Sequence, residues 1–286
     1  MKNKLFKRLY ILLAFLGALI SLQSCNILKI VDHRQVAKFN KNGLQAYSFQ
    51  DADGTIRYAH YSQSNKPKIM LLHGYGASGI GQYYRTVLNL KDEFDFILPD
   101  LIYCGHSTGN GQQYSIDDQV EHLHKILDSL HCDENFVLMG NSYGGIVASY
   151  FAEKYPDRVK KLVIYDSPVN FYTLKYADSL AHSLGVESVR NLLSPLNVRE
   201  NKIAFDLVFH DQPYVPRFLR RQMIKYGTLP VRDNQIKLLE NLIQQEKAMN
   251  DHTFRWKMPV YLAWGEFDRL IPMSTCTQIA EKYDIP

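Results

Sequence analysis

Cysteine is scarce in this 286-residue chain, and its few copies lie far apart. Cys25 stands near the start, and Cys104, Cys132 and Cys276 follow as an odd set with no C-x-x-C pair. That spacing excludes a disulfide framework and a cysteine-held metal, and leaves buried thiols as the ordinary reading of the last three. No metal site is expected from histidine either: His122 and His124 are two apart, do not share a helix face, and read as solvated. Long apolar runs are also lacking. Leu9 to Ile20 falls well short of the roughly 20 residues a membrane-spanning helix needs. An excess of one charge is missing too, despite a formal value of +4. Residues 1–24 carry Lys2, Lys4, Lys7 and Arg8 and no acid; without them the 33 basic residues fall level with the 29 acidic ones. A neutral body carries no electrostatic footprint for nucleic acid, which is not expected as a partner. The chain shows no internal repeat and no low-complexity stretch.

What is present is a globular composition, 46% hydrophobic and 22% charged, long enough for one large α/β domain with an insertion or for two small ones. Residues 1–24 read as an export leader, with a basic start followed by a short apolar stretch. The leader ends in Leu22-Gln23-Ser24-Cys25, which resembles a bacterial lipobox; the alternative is an ordinary secretory leader cut near Ser24. The lipobox implies that Cys25 is lipidated and tethers an exported protein to a membrane surface of the bacterial envelope without spanning it. Residues 25–45 read as a polar tether.

The chain is organised around Gly140-Asn141-Ser142-Tyr143-Gly144, a G-x-S-x-G sequence followed by Gly145. Phe136 to Met139 before it suits a buried strand, and Ile146 to Ala152 after it suits a helix that stops at Pro156. A serine on a sharp strand-to-helix turn is the setting of a nucleophile elbow, and a helix beginning there aims its first N–H groups at a developing anion. The plain alternative is a glycine-rich turn with a surface serine.

Around this turn the rest of the chain alternates strand and helix. Ala46–Phe49 and Ile56–Tyr61 are expected as strands joined by a hairpin turn at Asp51-Ala52-Asp53-Gly54, with His60 on the surface. Lys68–Leu72, Phe94–Leu98 and Lys161–Tyr165 are apolar runs of the kind that parallel strands bury on both faces. Helices are expected from Gln82 to Leu90 and over residues 116–130. The rhythm breaks at residues 168–250, which read as a mostly helical insertion, and returns with a strand at Met258–Trp264 and a helix ending near Tyr283. This alternation calls for a mostly parallel sheet with helices on both faces.

Four segments together resemble the α/β-hydrolase superfamily, and the likeness runs from about Ala46 to the end of the chain. His73-Gly74-Tyr75-Gly76 is similar to the family's oxyanion loop. Asp100-Leu101 through Gly105-His106-Ser107 is similar to its D-x-x-G-x-G-x-S loop, with Cys104 standing at an inner glycine. Gly140–Gly144 matches the elbow, and Gly265 through Asp268 to Ile271-Pro272 resembles the acid loop. The resemblance implies a core over 46–167, a helical cap over 168–250 and a second core segment over 251–286, without a cofactor or metal.

It further implies a serine hydrolase acting on a small-molecule ester, amide or related acyl substrate. Ser142 would attack, Asp268 would orient the base (with Asp166 as the runner-up acid), and the backbone amides of Tyr75 and Tyr143 would hold the oxyanion. One such amide is typically worth ~2.7–4 kcal/mol in the transition state. In the family the base is a histidine after one further strand, yet none follows Asp268. The expectation is therefore that the last strand is absent here and the histidine lies beyond residue 286. The other readings are a truncated, non-catalytic binding protein and a cap histidine serving as base. In the cap, Phe171, Tyr172, Tyr176, Phe205, Phe209, Tyr214, Phe218 and Tyr226 would line an apolar pocket or fill the cap's own core. Arg217, Arg220 and Arg221 would receive an acidic substrate group or form a solvated face.

Overall fold

The computed structural model describes residues 26–286 apart from Tyr172 and Gln212. The leader and Cys25 lie outside the described residues. Seven strands form one sheet in the order β1-β2-β4-β3-β5-β6-β7. β1 (Gln45–Gln50) and β2 (Ile56–Tyr61) form the expected hairpin, and β2 runs antiparallel to β4 (Asp95–Pro99). From there β3 (Lys68–Leu72), β5 (Phe136–Asn141), β6 (Val159–Tyr165) and β7 (Val260–Ala263) are parallel to their neighbours. Each parallel pair needs a crossover, which the intervening helices provide. β4 is buried at every position, as its apolar run requires.

Most of the stretch expected as a polar tether is helical. Ile27–Lys41 forms helix α1, capped by Asn26, whose side chain accepts from the Lys29 amide. Its apolar residues are scattered among polar ones and only Phe39 is buried, so no broad apolar stripe announces it. Its buried residue is Phe39, fully enclosed, stacked on Tyr84 and edge-on to His60. His60 is correspondingly buried rather than on the surface, and burial lowers its pKa to about 4, so it stays neutral.

α1 is also pinned by charge. Asp32 lies 3.4 Å from one ring nitrogen of His106, and buried Asp100 lies 3.4 Å from the other. Contact with the Asp100 carboxylate raises the His106 pKa above its ordinary value, and burial opposes the rise only in part. A raised folded pKa adds stability that is complete below the unfolded value of about 6.5 and is lost as pH climbs through the folded value. Wild type should therefore exceed His106→Gln in stability by more at about pH 6 than at about pH 9. Chemical denaturation at the two pH values checks this, and an equal gap would contradict it.

α2 (Gly79–Leu90) starts three residues earlier than its apolar spacing suggests, because Ser78 caps it by accepting from the Gly81 amide. α3 (Ile116–Ser129) opens with a capping box between Ser115 and Asp118. Its His122 is fully buried, not solvated. The ring accepts from the Arg57 guanidinium at Nδ1 and donates from Nε2 to the Asp100 carbonyl, 2.8 Å away. Burial, with the neighbouring Arg57 guanidinium, drives its pKa down to about 3. α4 (Tyr143–Lys154) follows the elbow and is buried along most of its length. Phe151, Val147 and Ala148 sit in the main core with Leu123, Leu127, Leu138 and Leu162.

Between β6 and β7 the described residues hold helices and no strand: α5 (Leu174–Ser183), α6 (Val189–Leu193), α7 (Val198–Val208), α8 (Arg217–Gln222) and α9 (Arg232–Asp251). A π-helical turn, Met223–Thr228, continues α8. α9 lies over the core loops, with Leu238 packed on Ile102 and Tyr103 and Leu239 against Tyr75. After β7, α10 (Met273–Tyr283) closes the described chain.

Candidate active site

The segments singled out from the sequence meet at one edge of the sheet. The C-terminal ends of β3, β5, β6 and β7 lead into His73–Tyr75, Ser142, Asp166 and Gly265–Asp268 respectively. This is where open α/β sheets place their ligands, since the strand ends splay there and the helices begin.

Ser142 sits at φ 52°, ψ −120°, a conformation L-residues rarely adopt. Hydrogen bonds hold it: its amide donates to the Tyr165 carbonyl at 3.0 Å, and its carbonyl accepts from the Gly145 amide at 2.9 Å, the Ile146 amide at 3.3 Å and the Ser167 hydroxyl at 2.7 Å. The glycines are a packing requirement. A Cβ on Gly140 would stand 2.3 Å from the Gly144 carbonyl oxygen, and one on Gly144 would stand 2.5 Å from the His73 carbonyl oxygen. The turn is thus too tight for any side chain on either flank, and it exposes the serine at the tip of β5. Tyr143 is the first residue of α4, so its amide lies in the orphan first turn of the helix.

The oxyanion loop abuts this turn: a Cβ on Gly74 would lie 3.4 Å from the Ser142 Cβ. Two side chains that no motif pointed to fix the approach. The Gln82 amide oxygen accepts from the Gly74 amide at 2.9 Å, and its amide nitrogen donates to Asn141 Oδ1 at 3.0 Å. Asn141 in turn donates to the Tyr165 carbonyl at 3.2 Å. The oxyanion loop, the elbow and β6 are therefore one hydrogen-bonded unit. Asn141 is the variable residue of the elbow motif and Gln82 lies in another helix, so the only sequence signal was adjacency to Ser142. From above, the Tyr75 hydroxyl donates to the Gln235 carbonyl of α9 and the Tyr75 ring packs edge-on to Tyr143.

His73 belongs to this scaffold and not to proton transfer. It is fully buried, with Nδ1–H donating to the Gly74 carbonyl at 2.8 Å and Nε2 accepting from the Leu101 amide at 3.0 Å. Both ring nitrogens are used, and burial pushes its pKa down, so it is neutral and occupied. Asp100 anchors the next loop by accepting from the Gly79 and His106 amides. Burial opposes its charge, but contact with His106 and these amides hold its pKa below the usual carboxylate value. Cys104 is buried, and burial lifts its thiol pKa to about 12, which makes it an inert packing group. Cys132 is buried as well, and Cys276 half-buried.

Two carboxylates stand on the far side of Ser142. Asp268 Oδ1 accepts from the Leu270 and Ile271 amides at 2.8 and 2.9 Å, which fixes the carboxylate and leaves Oδ2 without a donor among the described residues. Asp166, at φ 41°, accepts from the Gly265 amide at 2.7 Å and so ties β6 to the acid loop. Burial raises the pKa of both, and the charge of Asp166 raises that of Asp268 further.

None of the ten histidines, all within the described residues, hydrogen-bonds to Ser142 or Asp268. His252 pairs with Glu153 at 2.7 Å. His210 stacks on Phe267, beside the acid loop. Of the cap aromatics, Tyr176, Phe209, Tyr214 and Phe218 are exposed, Tyr214 by 90%, while Phe171, Phe205 and Tyr226 are half-buried. The cap arginines divide. Arg220 is buried on Asn201, while Arg217 and Arg221 are exposed. Among the described residues no cluster of potential ligands could hold a metal.

The chain is 26% identical to Lipase 1 of Psychrobacter immobilis, over 84% of this chain and 74% of that protein. It is 28% identical to a 2-hydroxy-6-oxononadienedioate/2-hydroxy-6-oxononatrienedioate hydrolase of Paraburkholderia phymatum, over 77% of this chain and 78% of that one. Its fold superposes on the crystal structure of a membrane phospholipase A, a bacterial virulence factor, with a TM-score of 0.74 at 21% identity, covering 100% of this chain and 89% of the other. The model of the α/β hydrolase fold matches residues 67–222, more than half of the chain, from β3 through the elbow into the cap. With the strand order, the strained serine turn and the convergent loops, this match shows that the chain belongs to the α/β hydrolase fold family.

Proposed function

We propose that the protein is a serine carboxylester hydrolase of lipase type, held at a bacterial membrane surface through Cys25. The observation that carries this is the geometry of Ser142: an otherwise costly backbone conformation, locked by four hydrogen bonds at the joined ends of β3, β5 and β6. Such strain is retained where a side chain must be presented at a fixed point. In this reading Ser142 Oγ attacks the ester carbonyl as the base takes its proton. The carbonyl oxygen becomes an anion held by the amides of Tyr143 and Tyr75. Collapse of the tetrahedral species expels the alcohol, which takes up the proton, and water then releases the acid from the acyl-enzyme. Asp268, with Oδ2 open, orients the base. Since the ten histidines here are engaged or placed elsewhere, we assign the base to a histidine outside these 286 residues.

The likeness to Lipase 1 favours acyl esters of lipids over the carbon–carbon substrates named for the Paraburkholderia protein. Hydrolysis of p-nitrophenyl esters of graded chain length by the full-length protein tests this reading; failure to cleave any of them would count against it. The anchor has its own test. Cys25→Ala is expected to release the protein from the salt-washed membrane fraction of cells, where electrostatic adhesion is screened, and retention through that wash would refute lipidation as the tether.

A further inference from the structure

Three basic residues, Arg217, Arg221 and Lys225, recur every four positions along α8 and the π-helical turn that continues it. All three are exposed. Among the described residues none of them forms an ion pair, although surface pairs form elsewhere in the cap, as between Lys202 and Asp206. Like charges four apart on a helix repel one another, so an unpaired ladder lowers the stability of the segment that carries it. The chain past residue 24 is neutral, so this concentration is no overflow from a basic surface. Beside the ladder opens a groove of about 410 Å³, lined by Leu196, Val198, Ile224 and Leu229 together with the three basic side chains. Leu196, Phe218 and Leu229 are each nearly half exposed.

The start of the described chain meets the same segment. The Ile27 amide donates to the Gln222 side chain at 2.9 Å, one residue along from Arg221. Ile27 is two residues after Cys25, so an anchor at Cys25 would enter the bilayer beside the ladder. Ile30 and Val31, in the next turn of α1, are exposed apolar residues near that point.

We propose that the α8–π segment, with the start of α1, docks on a bilayer of anionic phospholipid. The headgroup phosphates meet Arg217, Arg221 and Lys225, and Leu196, Phe218 and Leu229 reach the headgroup–acyl boundary. An anchor fixes the distance to the membrane but not the orientation; the ladder fixes the orientation, and with it how the cap meets the surface. The arrangement builds on the reading of Cys25 as the anchor, and the two parts fail separately: retention of the Cys25→Ala protein on salt-washed membranes reports on the anchor, salt-sensitive vesicle binding on the docking face.

The test uses the full-length mature protein carrying Cys25→Ala, exported behind an exchanged cleavable leader. Its partition is measured by sedimentation with vesicles of phosphatidylcholine alone or with about a third phosphatidylglycerol. The expected result is binding at least about tenfold tighter to the anionic vesicles, weakening as salt is added, and reduced about tenfold or more by Arg217→Gln, Arg221→Gln and Lys225→Gln together. Hydrolysis of a soluble short-chain ester should be unchanged, which shows the triple variant to be folded. Should that variant fail to fold, Arg217→Glu alone should still weaken anionic binding. Equal binding to both vesicle types, or binding that survives loss of the ladder in a folded variant, would overturn the proposal.

Discussion

Ser142→Ala should lower ester hydrolysis on the order of 10⁴-fold or more while leaving the fold intact. The size of the effect follows from what is removed. The substitution deletes one hydroxyl and so the covalent route itself, whereas every interaction that shapes the turn is made by backbone or by neighbours. The Ser142 amide still donates to the Tyr165 carbonyl, and the Ser142 carbonyl still accepts from Gly145 and Ser167. Circular dichroism and thermal unfolding should therefore match wild type, and kcat should fall with little change in KM. A variant with near-normal turnover would mean that Ser142 is only the tip of a glycine-rich turn.

Asp268→Asn should cost on the order of 10³- to 10⁴-fold in kcat, and Asp166→Asn no more than about tenfold. The two carboxylates both sit at strand ends and both have raised pKa values through burial, so burial and charge do not separate them. Their hydrogen bonds do. Asparagine at 268 keeps an oxygen for the Leu270 and Ile271 amides, so the loop survives, but it can present an N–H₂ group where an imidazole N–H must be accepted. The base would then be held in the wrong tautomer. Asparagine at 166 keeps an oxygen for the Gly265 amide, and with it the join between β6 and the acid loop. Steady-state kinetics of the two variants decides the assignment, and the reverse order of effects would make Asp166 the orienting acid.

What could be read from the residues alone was whatever depends on local rules. The buried strands show as continuous apolar runs, the β1–β2 hairpin as its Asp-Gly turn, and the elbow as glycines flanking a serine between strand and helix. Each of these is dictated by neighbours in sequence. Features fixed by distant partners did not show. α1 buries one ring, Phe39, on Tyr84 and His60, and without a stripe of buried apolar residues its sequence resembles a linker. His60 and His122 look like surface residues because the groups that bury them come from other elements, α1 for the first and Arg57 with the Asp100 carbonyl for the second. The Gln82–Asn141 bridge joins side chains 59 positions apart. The cap was the least legible: its aromatics suggest a pocket, but Tyr176, Phe209, Tyr214 and Phe218 face outward, and its arginines divide between structure and surface.

The account turns on Ser142 as an activated nucleophile. The direct measurement is reaction of the full-length protein with a fluorophosphonate, followed by mass spectrometry of the peptides. A single adduct on the peptide holding Ser142, absent from Ser142→Ala and strongly slowed in Asp268→Asn, is the result expected. An adduct on another residue, or labelling that persists in Ser142→Ala, would contradict it.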